Sequence, residues 1–505
     1  MSHNGEGTGM KILFVGSEAA PYVKVGGLGE VLFSLPRALN RLGHDARVMI
    51  PRYAIIDGEK FKMKMIVEGM QVPSGNGEPI ICNVKESVSD GGRESAVPAY
   101  FLENMEYFEK RANVYGYDDD AARWAVLCRG VLEFIRAHDG WRPDIIVAAD
   151  WQGGLIPNYF HKNYKNDPIL SKIPIVFSIH NLFYQANFDH HYVSEMDYDD
   201  GHSEVPPLSD PRLLKLNFMR RGIMHADVIN TVSPTYAKEI TTPEFGELLD
   251  PLLQERRARL FGILNGIDHQ AYDPATDGRI EHKFSVKKIS DRVGNKAVLR
   301  RQFNLPEPEG RDVPIFAVVS RLSEQKGLDL ISEIIEPLLY EVDFQFIVLG
   351  TGDGRYISFF QELDKERTNV STHLSYDNVL PYLIFAGADA ILIPSRYEPC
   401  GLVQMEAMRY GAVPIVRRTG GLADSVEDYN SKEDTGTGFV FENYTPLALY
   451  GAIVRALEHY KNQKVWQGIQ RRAMMADFSW DNSAREYVKL FEKAAMFHKQ
   501  SQDKI

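Results

Sequence analysis

Residues 11–50 read KILFVGSEAAPYVKVGGLGEVLFSLPRALNRLGHDARVMI. Lys11–Val15 is a short apolar run that predicts a buried strand. Gly29–Asn40 puts Val31, Leu32, Leu35, Ala38 and Leu39 on one face of a helix, and after Gly43 the chain returns as a strand over Asp45–Ile50. Strand, glycine-containing loop, helix and strand open a parallel α/β domain.

The same rhythm continues outward. A helix over Asp120–Ala137 leads to strands at Asp144–Ala148, Pro174–Ile179, Val228–Val232 and, more weakly, Arg259–Ile263. The residues after Pro51 suggest more polar, antiparallel strands, and 87–95 reads as a loop. A second series starts at Pro314–Ser320, with a helix at Leu328–Leu339, strands at Phe344–Leu349, Ala390–Ile393 and Val413–Val416, and a helix beginning near Leu402. Each buried run ends in polar or glycine residues, where a parallel sheet presents its ligand-binding edge. The expected fold is α/β, with two Rossmann-like doubly wound domains facing a central cleft. The hydrophilic stretch 277–296 marks the approach to a boundary near 300.

At 505 residues the chain exceeds one ordinary core. Its 44% apolar, 11% aromatic and 25% charged composition is that of a globular protein. A net charge of −12 argues against a broad nucleic-acid surface. Cys82, Cys128 and Cys400 have neither metal-ligand spacing nor a disulfide pattern, which points to reduced thiols in the cytoplasm. The first nine residues read as a polar, disordered tail without signal-peptide character. No segment approaches the roughly 20 apolar residues of a membrane span, so no membrane partner is expected.

The loop Lys24-Val-Gly26-Gly27-Leu-Gly29-Glu30 permits close backbone approach and adds a cation, so it is either a plain strand-to-helix loop or a diphosphate contact. It is not GxGxxG, which leaves NAD without support. Ser320-Arg321-Leu-Ser-Glu-Gln-Lys326-Gly327 occupies the equivalent place in the second series. Arg321 and Lys326 are either surface cations or a pair that grips two phosphates and helps a nucleotide diphosphate depart. Pro399-Cys400-Gly401-Leu402 follows Glu398 and starts a helix whose amides suit an anion. His180 ends an apolar strand, as a structural histidine or a partner for a sugar hydroxyl. Asp150–Trp151 offers a carboxylate beside an aromatic surface, or a helix cap before a core tryptophan. There is no serine nucleophile elbow and no HExxH.

An ordered set of motifs spans almost the whole chain: KVGGLGE at 24–30, ADW at 149–151, HNLFYQANF at 180–188, TVSPTYAKEI at 231–240, NGID at 265–268, SRLSEQKGLDL at 320–330, SRYEPCGL at 395–402 and RRTGGLADSV at 417–426. On these the chain resembles bacterial glycogen synthases and plant starch synthases, retaining transferases of the GT-B type. The resemblance implies transfer of glucose from ADP-glucose or UDP-glucose to the non-reducing end of an α-1,4-glucan, with no required metal or other cofactor. It assigns His180, Glu398, Arg321 and Lys326 to catalysis. Donor contacts fall at Lys24, Gly26, Gly27, Asn265, Arg321, Lys326, Gly352, Tyr376, Cys400, Gly401, Leu402 and Glu406. Sugar contacts fall at Asp150, Trp151, His180, Asn181 and Glu398, with Tyr376 stacking on the nucleobase. It implies an acceptor-side domain over 10–300, a donor domain over 301–481, and a helix over 482–499 that returns to the first domain. The cytoplasm is the expected compartment, or the plastid for a photosynthetic source whose transit peptide has been removed.

Three departures stand out. Glu30 replaces a usual aspartate, Ala149 and Gln152 replace histidines, and Glu406 replaces a common tyrosine. The resulting E-x7-E suggests that Glu406 binds the donor ribose. The alternatives are a related transferase with another nucleotide-sugar or a small acceptor, and a catalytically silent glucan-binding protein.

Overall fold

The computed structural model describes residues 9–88 and 97–503. The polar tail expected at the N-terminus lies almost wholly outside these residues, as does most of the loop expected at 87–95. The described residues divide into two compact units. The first takes the chain up to Val232, Ala237–Ile263 and the segment from Trp480 onward; the second takes Ser233–Tyr236 and Leu264–Ser479.

In the first unit, nine strands among the described residues form one sheet. They are β1 (Lys11–Val15), β2 (Asp45–Pro51), β3 (Lys64–Val72), β4 (Ile80–Ser87), β5 (Ala99–Glu103), β6 (Ile145–Ala149), β7 (Ile175–Ile179), β8 (Val228–Thr231) and β9 (Leu260–Gly262). Their order is β3-β4-β5-β2-β1-β6-β7-β8-β9. β4 pairs antiparallel with β3 and β5, as the more polar composition there suggested, and the remaining pairs are parallel. The helix after β1 runs Gly27–Arg41 and buries Val31, Leu32, Leu35, Ala38 and Leu39. Each of β5, β6, β7 and β8 is buried along its length, which is why the last three read as mainly apolar runs, whereas β5 was not singled out.

The second sheet has β10 (Ile315–Val319), β11 (Gln345–Leu349), β12 (Val370–His373), β13 (Ala390–Ile393), β14 (Val413–Arg417) and β15 (Phe439–Phe441), in the order β12-β11-β10-β13-β14-β15 and parallel throughout. One face packs on a cluster that includes Ile331, Ile335, Phe360, Ile453 and Trp466. The other packs on Ile280, Phe284, Ile289, Leu299, Ile384 and Met408.

That second cluster moves the division of the chain from the boundary expected near 300 to Ile263/Leu264. Residues 264–300 belong to the second unit, because their few apolar side chains plug its core. Arg292 is buried there and donates to the carbonyls of Tyr410 and Phe385. The last helix is longer than expected, Trp480–Gln502, and belongs to the first unit. Tyr487 accepts a hydrogen bond from Asn230 at 2.9 Å, Phe491 meets Phe14 edge-on, and His498 Nδ1 lies 3.0 Å from Asp227.

Candidate active site

A doubly wound sheet binds ligands at the C-terminal edge where its strand order reverses. In the second sheet that point lies between β10 and β13, since β11 continues to one side and β14 to the other. Arg321 and Lys326 follow β10, and Ser395 and Glu398 follow β13. Lys326 Nζ is 2.6 Å from Glu398 Oε2, and Ser395 Oγ donates to that same oxygen at 2.9 Å. Glu398 is buried, whereas Arg321 is exposed. A pocket here is lined by Ser320, Lys326, Ser395, Glu398, Gly401 and Leu402.

The backbone around Glu398 is fixed by close approach. Gly421 donates its amide to the Glu398 carbonyl at 3.0 Å. A Cβ on Gly420 would sit 1.9 Å from that carbonyl oxygen, and one on Gly421 would sit 1.9 Å from the Cys400 oxygen. The two glycines of RRTGGLADSV therefore serve contact with the 398–400 loop. Ser233 Oγ holds the next carbonyl, Pro399 O, at 2.8 Å. Burial pushes the Cys400 thiol up to about 12, so it stays neutral, and it accepts the Asn265 amide. The Oδ1 atom of Asn265 is buried without a protein partner among the described residues. Gly352 pairs with Leu322, bringing the loop after β11 onto the loop after β10.

In the first sheet the reversal lies between β1 and β6. The glycine loop follows β1, Asp150 follows β6 and His180 follows β7. Asp150 has a left-handed φ of 51° and does not cap the short helix it begins. Its Oδ1 instead accepts the His180 amide at 2.7 Å and the Asn181 amide at 3.4 Å. Burial raises the Asp150 carboxyl to about 7 despite those two bonds, with the Glu18 carboxylate adding to the rise. Burial lowers His180 to about 4, so at neutral pH it is an uncharged imidazole, with Nε2 3.2 Å from Ser178 Oγ.

The glycine loop holds an anion, but an internal one. Glu18 Oε2 accepts the amides of Val25 and Gly26, the latter at 3.0 Å, and Glu18 is 2% exposed. The amide expected to meet donor phosphate at Gly26 is thus already committed. A Cβ on Gly29 would lie 3.1 Å from Glu18 Oε2. Lys24 pairs with Glu30 at 2.9 Å, and Glu30 also accepts from Ser34 at 2.7 Å. Reading the sequence missed Glu18. Its only signal is an acidic residue just past the end of β1, a place where polar residues are common.

Comparison with known proteins decides the family. A glycogen synthase of Desulforudis audaxviator is 41% identical over 96% of this chain and 96% of its own length. Another from Clostridium perfringens is 42% identical over 96% and 98%. This chain belongs to the glycogen and starch synthase family. Residues 11–255 match the starch synthase catalytic domain, and 301–472 match the glycosyl transferases group 1 domain. The catalytic domain of starch synthase IV from Arabidopsis thaliana, solved with ADP and acarbose, superposes with a TM-score of 0.80 at 31% identity, covering 97% of this chain and all of that one. Sucrose-phosphate synthase from Thermosynechococcus elongatus shares the fold, with a TM-score of 0.58 at 17% identity. The chain is therefore a GT-B glycosyltransferase, an enzyme.

As a member of this family it places the other expected residues unevenly. Cys400, Gly401 and Leu402 lie in the loop after Glu398, and Tyr376 is 84% exposed between β12 and the next helix, its ring open to stacking. Gly27 has open space where a Cβ would stand. Trp151 departs from the exposed sugar surface that was one reading of Asp150–Trp151. It is buried edge-on against Trp124 and Phe218, at 6.2 and 6.0 Å between ring centroids, and serves the core. Glu406 is half-buried on the helix Val403–Arg409 and hydrogen-bonded to the Tyr272 phenol, whose proton is held well above its ordinary range by burial and then by this carboxylate. Ala149 is buried at the end of β6, and the Gln152 carbonyl accepts from the Cys128 thiol at 3.2 Å.

Proposed function

We propose that the enzyme is a retaining α-1,4-glucan glucosyltransferase that moves glucose from ADP-glucose to the non-reducing end of a glucan. The observation that carries this reading is the Lys326–Glu398 pair across the reversal of the second sheet. Lys326 commits one of its three ammonium protons to Glu398 and keeps two for phosphate oxygens. Arg321 adds a planar fork of donors, so charge accumulating on the departing diphosphate meets two cations. Glu398 takes both its contacts on Oε2, which leaves Oε1 for a glucose hydroxyl and sets negative charge beside the sugar as C1 becomes cationic.

The bond from C1 to the β-phosphate oxygen breaks. The terminal O4 of the glucan attacks from the same face, and its proton passes to a donor phosphate oxygen. His180, uncharged at neutral pH, donates or accepts a hydrogen bond to the transferred glucose. Asp150 fixes the His180 backbone through its amide. Asn265, with its unpartnered buried Oδ1, serves the donor side, Tyr376 the nucleobase, and Glu406 the ribose, through the carboxylate that Tyr272 orients. The reaction belongs in the soluble phase of the cell, and no helix among the described residues is long and apolar enough to cross a membrane.

The test is direct. ADP-glucose and UDP-glucose are each offered with maltotetraose while glucan length and nucleotide diphosphate release are followed together. ADP-glucose is expected to give elongation with equal release of ADP. Elongation from UDP-glucose alone would overturn the donor assignment. Release of either diphosphate without a longer glucan would overturn the acceptor assignment.

A further inference from the structure

The segment that begins at His180 carries a second constellation that the transfer reaction does not use. His190 Nε2 lies 3.1 Å and His191 Nε2 3.0 Å from the same atom, Glu247 Oε2. The other ring nitrogen of His191, Nδ1, lies 2.9 Å from Asp189 Oδ1. The two imidazoles stand side by side with centroids 4.0 Å apart, and His190 is buried. Asp189, His190 and His191 each offer a ligand atom within 4.8 Å of the others. Glu247 and Leu248 are both left-handed, with φ of 50° and 65°, and Gln185 Nε2 clamps the Glu247 carbonyl at 2.7 Å. Such a conformation is strained for a residue with a side chain and persists only where its surroundings enforce it. Here it brings the Glu247 carboxylate to the two rings.

We propose that His190, His191 and Glu247, oriented by Asp189, are the protein ligands of a divalent transition-metal ion of the zinc class. Donors around a four-coordinate ion at about 2.0–2.2 Å stand roughly 3–3.5 Å apart, the spacing seen between each imidazole and the shared oxygen. Imidazole with carboxylate is a ligand set for first-row transition metals. Asp189 accepts a hydrogen bond from the Nδ1–H of His191, which fixes the tautomer and leaves Nε2 with a lone pair for the ion. Three protein ligands leave a fourth position to water. The ion would tie the segment after His180 to the Glu247–Leu248 turn and act on the order of that segment rather than on the transfer step. No sequence motif shows the site, because two consecutive histidines and a distant acid have no ligand spacing.

The experiment strips the full-length protein of metal, then titrates it with Co2+ while following its visible d–d absorption and with Zn2+ by calorimetry. One ion per chain is expected, with the spectrum of a low-coordinate cobalt centre and a Kd on the order of 1 µM or tighter. His191→Ala and Glu247→Gln should each weaken binding by about tenfold to a hundredfold, and Asp189→Asn by about tenfold. His202→Ala, at an exposed position outside the cluster, should bind like wild type. Zn2+ should also slow proteolysis within residues 183–193 in wild type and not in H191A. The His191 side chain is 43% exposed, so its truncation leaves a folded protein, to be verified by thermal melting. Absence of saturable binding to the wild type overturns the proposal. So does binding of wild-type strength in H191A and E247Q, which would make the four groups a hydrogen-bonded clasp and nothing more.

Discussion

The two sheets reverse their strand order in the same manner, but the groups at the two reversals differ in charge. In the second unit a lysine and a buried glutamate form a 2.6 Å ion pair, and an exposed arginine follows the same strand as the lysine. In the first unit the side chains at the strand ends are Glu18, Asp150 and a neutral His180, and the Lys24 ammonium is neutralised by Glu30. Cationic charge at the second reversal suits an anionic diphosphate, whereas neutral and acidic oxygens at the first suit hydroxyls. Under the proposed function one topology serves two chemistries, chosen by the residues just past the strand ends.

The comparison breaks first, and with the largest effect, at the second reversal. Glu398→Gln keeps shape and removes charge beside the developing cation, so the turnover rate should fall by about a thousandfold in a folded protein. Lys326→Ala should cost about 3 kcal/mol of transition-state stabilisation, roughly a hundredfold in rate, with a lowered melting temperature because Glu398 loses its cation. Steady-state kinetics with ADP-glucose and maltotetraose, read beside melting curves, checks both. Near-normal turnover in either variant would remove that residue from the donor site.

At the first reversal the sharper probe is pH. Folding raises the Asp150 carboxyl from 3.8 to about 7, so between these values the folded chain keeps a proton that the unfolded chain gives up. The contribution of this group is fully present below about pH 4 and is lost as pH rises through 7. Asp150→Asn retains an acceptor for the His180 amide but does not titrate. Chemical denaturation should therefore show wild type losing stability relative to D150N from pH 4 to 8. A constant gap would mean that the carboxyl titrates normally.

His498 gives a smaller effect of the same sign. Burial lowers its affinity for a proton, but the Asp227 carboxylate outweighs burial and raises it. The stabilisation is present below the ordinary histidine range and fades as pH rises through the raised value. His498→Gln should cost about 2 kcal/mol at pH 5.5 and less at pH 9, measured again by denaturation. The smallest expected effect lies at Glu406, where Glu406→Gln should weaken ADP binding about fivefold, roughly 1 kcal/mol, with maltotetraose affinity unchanged. An analogue lacking the contacted ribose hydroxyl should feel less of this loss.

Much of this was readable from the residues, and the omissions have physical causes. Strands such as β1, β6, β7, β10, β11 and β13 have parallel neighbours on both sides and are buried on both faces, so each appears as a mainly apolar run. Lys326 stood out in the loop after such a run, and Glu398 through its flanking sequence in SRYEPCGL. Residues 277–296 looked like the approach to a linker because charged side chains such as Arg279, Lys283, Lys288 and Asp291 are frequent there. Ile280, Phe284, Ile289 and Leu299 nonetheless fill the second core, and buried Arg292 bonds to backbone carbonyls that no sequence pattern displays. The role of Trp151 turned on Trp124 and Phe218, which are distant in sequence. Glu18 escaped notice because two of its partners are backbone amides, which carry no residue identity, and the third, the Tyr115 hydroxyl, lies far along the chain.

The most direct test of the division of labour is calorimetric titration of ADP and of maltotetraose, separately, into wild type, K326A and D150N. The account predicts a crossed pattern: K326A loses at least about tenfold in ADP affinity and keeps its maltotetraose affinity, while D150N weakens for maltotetraose and binds ADP like wild type. Parallel loss of both ligands in either folded variant, or an unchanged ADP affinity in K326A, would contradict it.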